Sequence, residues 1–263
     1  MTIRILGFDS ALSSQLDQLC QRIKELAPDK EGPTMLAQIR AARPDFVAKF
    51  ESALQAVPGG GKIRGLMLQA VGATIVTMVQ AIPAQVEELV ARIDDRSTSP
   101  ALRCALVSAL AYVVQPRDLV PDDAPGGYGL LDDAALLTAC LIQVTPVTAE
   151  NSPEIEDRKK KLAGLESMLD AAAVRGLQQA VEGLTLLVQS MSMLPAQIAD
   201  ASTRLLLDNP SIASAPKAPD GWQAPSFRPA GNGHWSGGGY FEGDNVIVPG
   251  GPSLIGGQVF IPS

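Results

Sequence analysis

Five aspartates, Asp118, Asp122, Asp123, Asp132 and Asp133, fall within the nineteen residues "QPRDLVPDDAPGGYGLLDD" at 115–133. Carboxylates at this density have three chemical uses. They can hold a hard divalent cation such as Mg²⁺ or Ca²⁺ through oxygen ligands. They can pair for general acid–base catalysis. They can also accept backbone N–H groups, as helix caps and Asx turns do. The spacing lacks the DxDxDG order of an EF-hand loop. Prolines and glycines recur every few residues through "RDLVPDDAPGGYG", so the loop is tight and specified. Asp132 is placed as the N-cap of the helix that follows, with Asp133 in the first turn, where the helix dipole favours a negative charge. Asp118 and Asp122 each stand close to a proline and are placed for Asx-type bonds to nearby amides. Structural capping is therefore the favoured reading, with a carboxylate–metal site as the alternative. No residue is assigned a catalytic, cofactor-binding or metal-ligating role.

Other chemistry is scarce. The chain has no GxSxG elbow, GxGxxG turn or HExxH pair. "PGGGKIRG" places glycines before a lysine without the GxxxxGK[ST] spacing of a phosphate loop. His234, the single histidine, sits in "GNGHWSGGG" with no second ligand near it and reads as a loop residue. Cys20, Cys104 and Cys140 are far apart and have no CxxC partner, so three reduced thiols are expected rather than a disulfide framework or a zinc site. The net charge of −7 argues against a nucleic-acid partner, which needs a basic face. The opening "MTIRILGFDSALSSQL" lacks a long apolar signal core, and a cytoplasmic location is expected.

The elements that must position the aspartates read as helices. Leu12, Leu16, Leu19, Ile23 and Leu26 share one helical face, which Asp9 or Ser10 can cap and Pro28 ends. Pro33 and Pro44 each suit the first turn of a following helix, and "VPGGGK" at 57–62 reads as a break. Residues 65–86, "GLMLQAVGATIVTMVQAIPAQV", carry no charge and are long enough to span a bilayer. Gln69, Gln80, Gln85 and Pro83 favour a buried helix instead. "STSPALRCALVSALAYVV" has a Ser/Thr cap and Pro100 in its first turn. Pro116 ends that helix, because a proline excludes the αR conformation at Gln115. With "AALLTACLIQV" beyond the loop, it predicts an antiparallel helical hairpin whose arms pack on each other. Asn151-Ser152-Pro153 opens a last long helical region reaching about Leu207, kinked at Pro195 and stopped by Asp208-Asn209-Pro210. Two stretches, from Thr77 and from Leu186, share Val-Gln followed by Pro-Ala-Gln.

After Asn209 the material changes. Residues 209–263 hold 11 of the 24 glycines and 8 of the 20 prolines, which ends the helical body. They also hold Trp222, Phe227, Trp235, Tyr240, Phe241 and Phe260, side chains that are costly to leave in water. "NVIVPGG" and "LIGGQVFIPS" can pair as strands of a hairpin that needs a surface to lie on. The expectation is an all-α, multi-helix bundle of about seven helices over 1–208, with the hairpin at 98–143. A Gly/Pro-rich, partly extended C-terminal tail covers 209–263.

The stretch "LVSALAYVVQPRDLVPDDAPGGYGLLDDAALL" resembles the YkvA-like family, a small bacterial domain of unknown function. The matching residues are Tyr112, Pro116, Asp118, Leu119, Val120, Pro121, Asp122, Gly129, Leu131, Asp132 and Asp133. Val120 stands where isoleucine is usual, and Asp123 with Gly126-Gly127 adds to the loop. The resemblance covers about residues 98–143. It implies no activity and carries the aspartates over as a structural motif. It also implies an association with membranes through the apolar hairpin.

The resulting expectation is a non-enzymatic helical interaction or scaffold protein. Its tail would dock a protein partner or a second copy, and no cofactor is implied. A membrane-associated or membrane-remodelling protein using the uncharged helices 65–86 and 183–199 is the alternative from another class. A carboxylate–metal enzyme at the Asp-rich loop is the third.

Overall fold

The computed structural model describes residues 3–55, 60–115, 119–145 and 152–213, together with four three-residue strands in the C-terminal segment. The body is all-α, as the periodicity requires, but with ten α-helices among the described residues rather than about seven. The difference arises where proline or a capping side chain ends a helix that apolar periodicity alone would carry through.

Helix α1 spans Ala11–Lys24, and Ser10 caps it by accepting the Ser13 N–H at 3.1 Å. α2 spans Pro28–Ala42 and α3 spans Pro44–Gln55. Pro28 therefore opens α2, and Pro33 lies inside it rather than at a new start. As the sixth residue of α2 it lies past the orphan donors of the first turn, and the helix forgoes the bond that an amide there would donate to the Asp29 carbonyl. α4 runs Gly60–Val79 and α5 runs Ile82–Asp94. The expected break at 57–62 is therefore shorter, since Gly60, Gly61 and Lys62 already belong to α4 and residues 56–59 lie outside the described ones. The uncharged run 65–86 is two helices, divided at Gln80-Ala81, where the Gln80 side-chain amide donates to the Leu26 carbonyl at 2.8 Å.

Ser99 caps α6, Pro100–Val113, and the 3-10 turn Pro125–Leu130 leads into α7, Leu131–Gln143. The last long helical region is three helices: α8 (Pro153–Met168), α9 (Ala171–Ser192) and α10 (Ala196–Asp208). Ser152 caps α8 as its sequence suggests. Asp170 starts α9 by accepting the N–H groups of Ala172 and Ala173 at 2.7 and 2.8 Å. Pro195 separates α9 from α10 instead of kinking one helix. In both look-alike stretches the Pro-Ala-Gln triplet stands where a new helix begins, in the first turn of α5 and at the start of α10.

The core is one continuous cluster. It draws Leu12, Leu16 and Ile23 from α1, Met35 and Ile39 from α2, and Val76 and Val79 from α4, and it runs through α5–α9. At the crossing of α2 and α4, Gly32 and Gly72 meet backbone to backbone, and a Cβ on either would collide with the other helix. The hairpin arms α6 and α7 touch, but neither packs mainly on the other: α6 lies chiefly against α9 and α10, and α7 against α8. Both arms are buried almost all round. The neighbours on every side explain why these sequences are apolar without being amphipathic.

Four short strands follow the body: β1 (Tyr240–Glu242), β2 (Asn245–Ile247), β3 (Ser253–Ile255) and β4 (Gln258–Phe260). They form an antiparallel meander in the order β1-β2-β3-β4, with Val246 opposite Leu254. The expected pairing of the two β-branched runs is present as β2 with β3. β1 lies against α7 and β2 against α9. Tyr240 and Phe241 are on β1 and Phe260 on β4. Trp222, Phe227, Trp235 and His234 lie outside the described residues.

Candidate functional site

The motif loop is built between the end of α6 and the start of α7. Pro116 and Asp118 lie outside the described residues. Tyr112, in the last turn of α6 and buried, accepts the Leu119 N–H through its hydroxyl at 3.2 Å. Leu119 then rests its methyl groups against Gly176 of α9, where no side chain stands in the way. Val120 is buried, and its N–H donates to the Asp132 carboxylate at 3.3 Å.

That last bond corrects the expected role of Asp132. Leu130 is the N-cap of α7, and Asp132 and Asp133 are in its first turn, both fully buried. From that position Asp132 reaches back across the loop instead of capping its own helix. Negative charge in the first turn agrees with the helix dipole, as read for Asp133. Neither carboxylate is without a further polar interaction.

Asp122 also differs from its expected Asx role. Its carboxylate meets the Arg22 guanidinium of α1 at 2.7 Å, with the aspartate side chain 7% and the arginine 52% exposed. Burial pushes the Asp122 carboxyl above its ordinary range, and the Arg22 bond works against that shift. Asp123, beside it, is exposed.

The glycines decide how closely the loop can sit. At Gly129 a Cβ would strike the Pro121 carbonyl, so the loop folds back on itself only with glycine there. Gly126 and Gly127 both have positive φ, 73° and 77°. A Cβ on Gly126 would also lie 2.6 Å from the Met35 nitrogen, so the 3-10 turn is pressed onto the α2 backbone. Tyr128 follows, buried, with its hydroxyl free of hydrogen-bond partners among the described residues. Burial raises its pKa, and the nearby Asp170 and Asp132 charges add to the rise.

The motif thus acts as a buckle. It fastens the α6–α7 connection to α1 through Asp122, to α2 through the two glycines and to α9 through Leu119. Asp122 and Asp132 reach into the body, to a guanidinium and to backbone, while Asp123 faces solvent. Among the described residues, no cluster of three or more His, Cys, Asp or Glu side chains is placed to hold a metal ion. A cavity of about 10 Å³ between α6, α7 and α9 is lined by Ala105, Leu106, Cys140, Gln143, Val144 and Leu184, and is about one water in size. Its lining is mostly apolar, and burial holds its thiol, Cys140, in the protonated form. The three cysteines are free and buried, which fits the expected reduced thiols.

Sequence reasoning did not reach Arg22, Gly176 or the α2 contact of Gly126. Each depends on a helix far away in the chain, and no local pattern marks it. Tyr128 stood inside the aspartate stretch, but its burial had no local signal either.

No curated protein and no solved structure is significantly similar to the chain. Residues 102–139 match the family described as "Protein of unknown function (DUF1232)", with which the YkvA-like resemblance is consistent. The match covers the central helix–loop–helix alone, from α6 through the motif loop into α7.

Proposed function

We propose that this chain is a non-enzymatic helical interaction protein, with the helical body as a platform and the aromatic-rich C-terminal segment as the element that docks a protein partner or a second copy. The observation that supports this reading most directly is the direction of the motif carboxylates. Asp122 and Asp132 point inward, to Arg22 and to the Val120 backbone, and so serve the fold. An enzyme built on the same residues would need them to converge on a space open to substrate.

The test separates a buckle from a reaction centre. Thermal unfolding of Asp132→Asn and Asp122→Asn is measured beside the wild type, with and without excess Mg²⁺, Mn²⁺ or Ca²⁺. A structural role predicts lowered melting temperatures and no metal-dependent rise. A variant that melts like the wild type yet loses a measurable hydrolytic or metal-dependent activity would refute the reading.

A second reading, association with a membrane, is favoured by one observation. Among the described residues, the helical stretch Ile63–Asp94 is long and apolar enough to cross a bilayer by length and composition, and 28% of its most apolar window is buried. The hairpin arms α6 and α7 are enclosed by neighbouring helices and give lipid no access. Fractionation of cells into cytosol and membranes, with salt and then detergent washes, tests this second reading.

A further inference from the structure

Besides Phe8 and Ile212, the large apolar side chains exposed among the described residues fall into two groups. One group lies around the α9–α10 junction: Met193 (68% exposed), Leu194, Ile198 and Leu205 (56%). The other lies at the start of α4 and on α3: Ile63 (42%), Leu66 (59%), Met67 (40%) and Phe50 (38%). Ile63, Leu66 and Met67 are three and four residues apart, so they share one helical face. α3 packs alongside α4, and only residues 56–59 separate them. Phe50 is five residues before the end of α3, which at 1.5 Å per residue puts it about 8 Å from that end, level with the first turns of α4.

Charge distinguishes the two groups. Together α3 and α4 carry Lys49, Lys62 and Arg64 against Asp45 and Glu51, with Asp45 at the far start of α3 and Glu51 paired to Arg40, in a chain whose net charge is −7. α10 carries Asp200 and Asp208 against Arg204. The α3–α4 end is therefore apolar with a basic border, the composition of a surface that meets anionic lipid headgroups.

We propose that the α3–α4 end inserts shallowly into an anionic bilayer surface, with Leu66, Met67, Ile63 and Phe50 entering the headgroup–acyl boundary and Lys49 and Arg64 meeting lipid phosphates. This deepens the membrane reading and rests on it. The second half of α4 stays with the body: Gly72, Ile75, Val76 and Val79 are buried, and Gly72 is locked against Gly32 of α2. A helix held this way cannot cross the bilayer without losing the α2 crossing, so the contact is interfacial and not a span. Strands β1 and β2 of the C-terminal segment lie against α7 and α9.

The experiment is cosedimentation of the purified full chain with vesicles of phosphatidylcholine alone or of an equimolar mixture with phosphatidylglycerol. The variants are Leu66→Glu and, as a control of equal exposure elsewhere, Leu205→Glu, each checked by circular dichroism melting. The expected result is binding to the anionic vesicles only, release by added salt or alkaline carbonate, about a tenfold loss in Leu66→Glu and none in Leu205→Glu. Binding by the wild type that Leu66→Glu leaves intact would overturn the surface while the membrane reading stands. Absence of binding to vesicles of either composition would overturn both. Retention until detergent is added would overturn shallow insertion in favour of a span. A dimer that Leu66→Glu converts to a monomer, without vesicle binding, would assign this face to a second copy and overturn the proposal.

Discussion

Arg22 of α1 and Asp122 of the motif loop form an ion pair at 2.7 Å across one hundred residues of chain. Its two ends are unequal, because the carboxylate is buried and the guanidinium is half exposed. Removing the arginine leaves a buried negative charge without that partner, whereas replacing the aspartate leaves only a solvated cation. Arg22→Ala is expected to cost about 1–3 kcal/mol. Asp122→Asn should cost less, because burial already holds that carboxyl above its ordinary range. Urea unfolding of both variants decides; equal losses would show that burial of Asp122 does not govern the pair.

Two glycine substitutions should act in opposite directions. Gly129→Ala puts a methyl group into the Pro121 carbonyl, with no side chain that can move aside, and is expected to destabilise by about 1–3 kcal/mol or more. Gly164→Ala, in α8, meets only the Met78 methyl at 3.7 Å and gains helix propensity of up to about 1 kcal/mol. Melting temperatures of the two variants should bracket the wild type.

The Tyr112 hydroxyl accepts the Leu119 N–H where the loop leaves α6. Tyr112→Phe keeps the ring and removes that acceptor, at an expected cost of about 0.5–1.5 kcal/mol. Faster hydrogen exchange at Leu119 is the specific readout. Unchanged protection there, with lowered overall stability, would place the effect elsewhere.

The buried thiols give a pH dependence on the alkaline side. Burial raises Cys140 to about 12 and Cys20 to about 11, and Cys104 is also raised. Below the unfolded thiol value both states are protonated and nothing changes. Above it the unfolded chain loses protons that the native state keeps, so stability falls with rising pH. Between about 9 and 11, Cys20 and Cys140 each contribute a slope of up to about 1.4 kcal/mol per pH unit. Cys140→Ala should flatten the slope by one group. A neutral-pH thiol reagent should label the native chain only as fast as it opens.

Local chemistry was legible in the sequence where a side chain serves its own helix. Ser10, Ser99 and Ser152 cap the helices they precede, because the partner amide is only three residues on. Asp170 carries the same signal before an alanine run, but apolar periodicity on both sides of it masks the helix boundary. Asp132 shows where local reasoning fails. An aspartate at a helix start can cap the helix or reach across the loop, and the packing of Val120 decides between them. The Gly32–Gly72 crossing was illegible for a related reason, since a glycine in a helix gives no hint of which backbone it admits. The all-α class and the strand pairing of β2 with β3 were legible from periodicity and β-branching. Helix number was not, because apolar periodicity continues across Gln80-Ala81 and across Leu169-Asp170.

The order in which the body is enclosed has a consequence for biosynthesis. α6 is among the most apolar segments of the chain, and the helices that cover it, α9 and α10, end at Asp208. At ribosomal rates of about 5–20 residues per second, α6 waits on the order of 5–20 s after its own synthesis for those partners to follow. During that interval α6 has α1, α5 and α7 to lie against but lacks the two helices that cover most of it, and chaperone dependence should concentrate there.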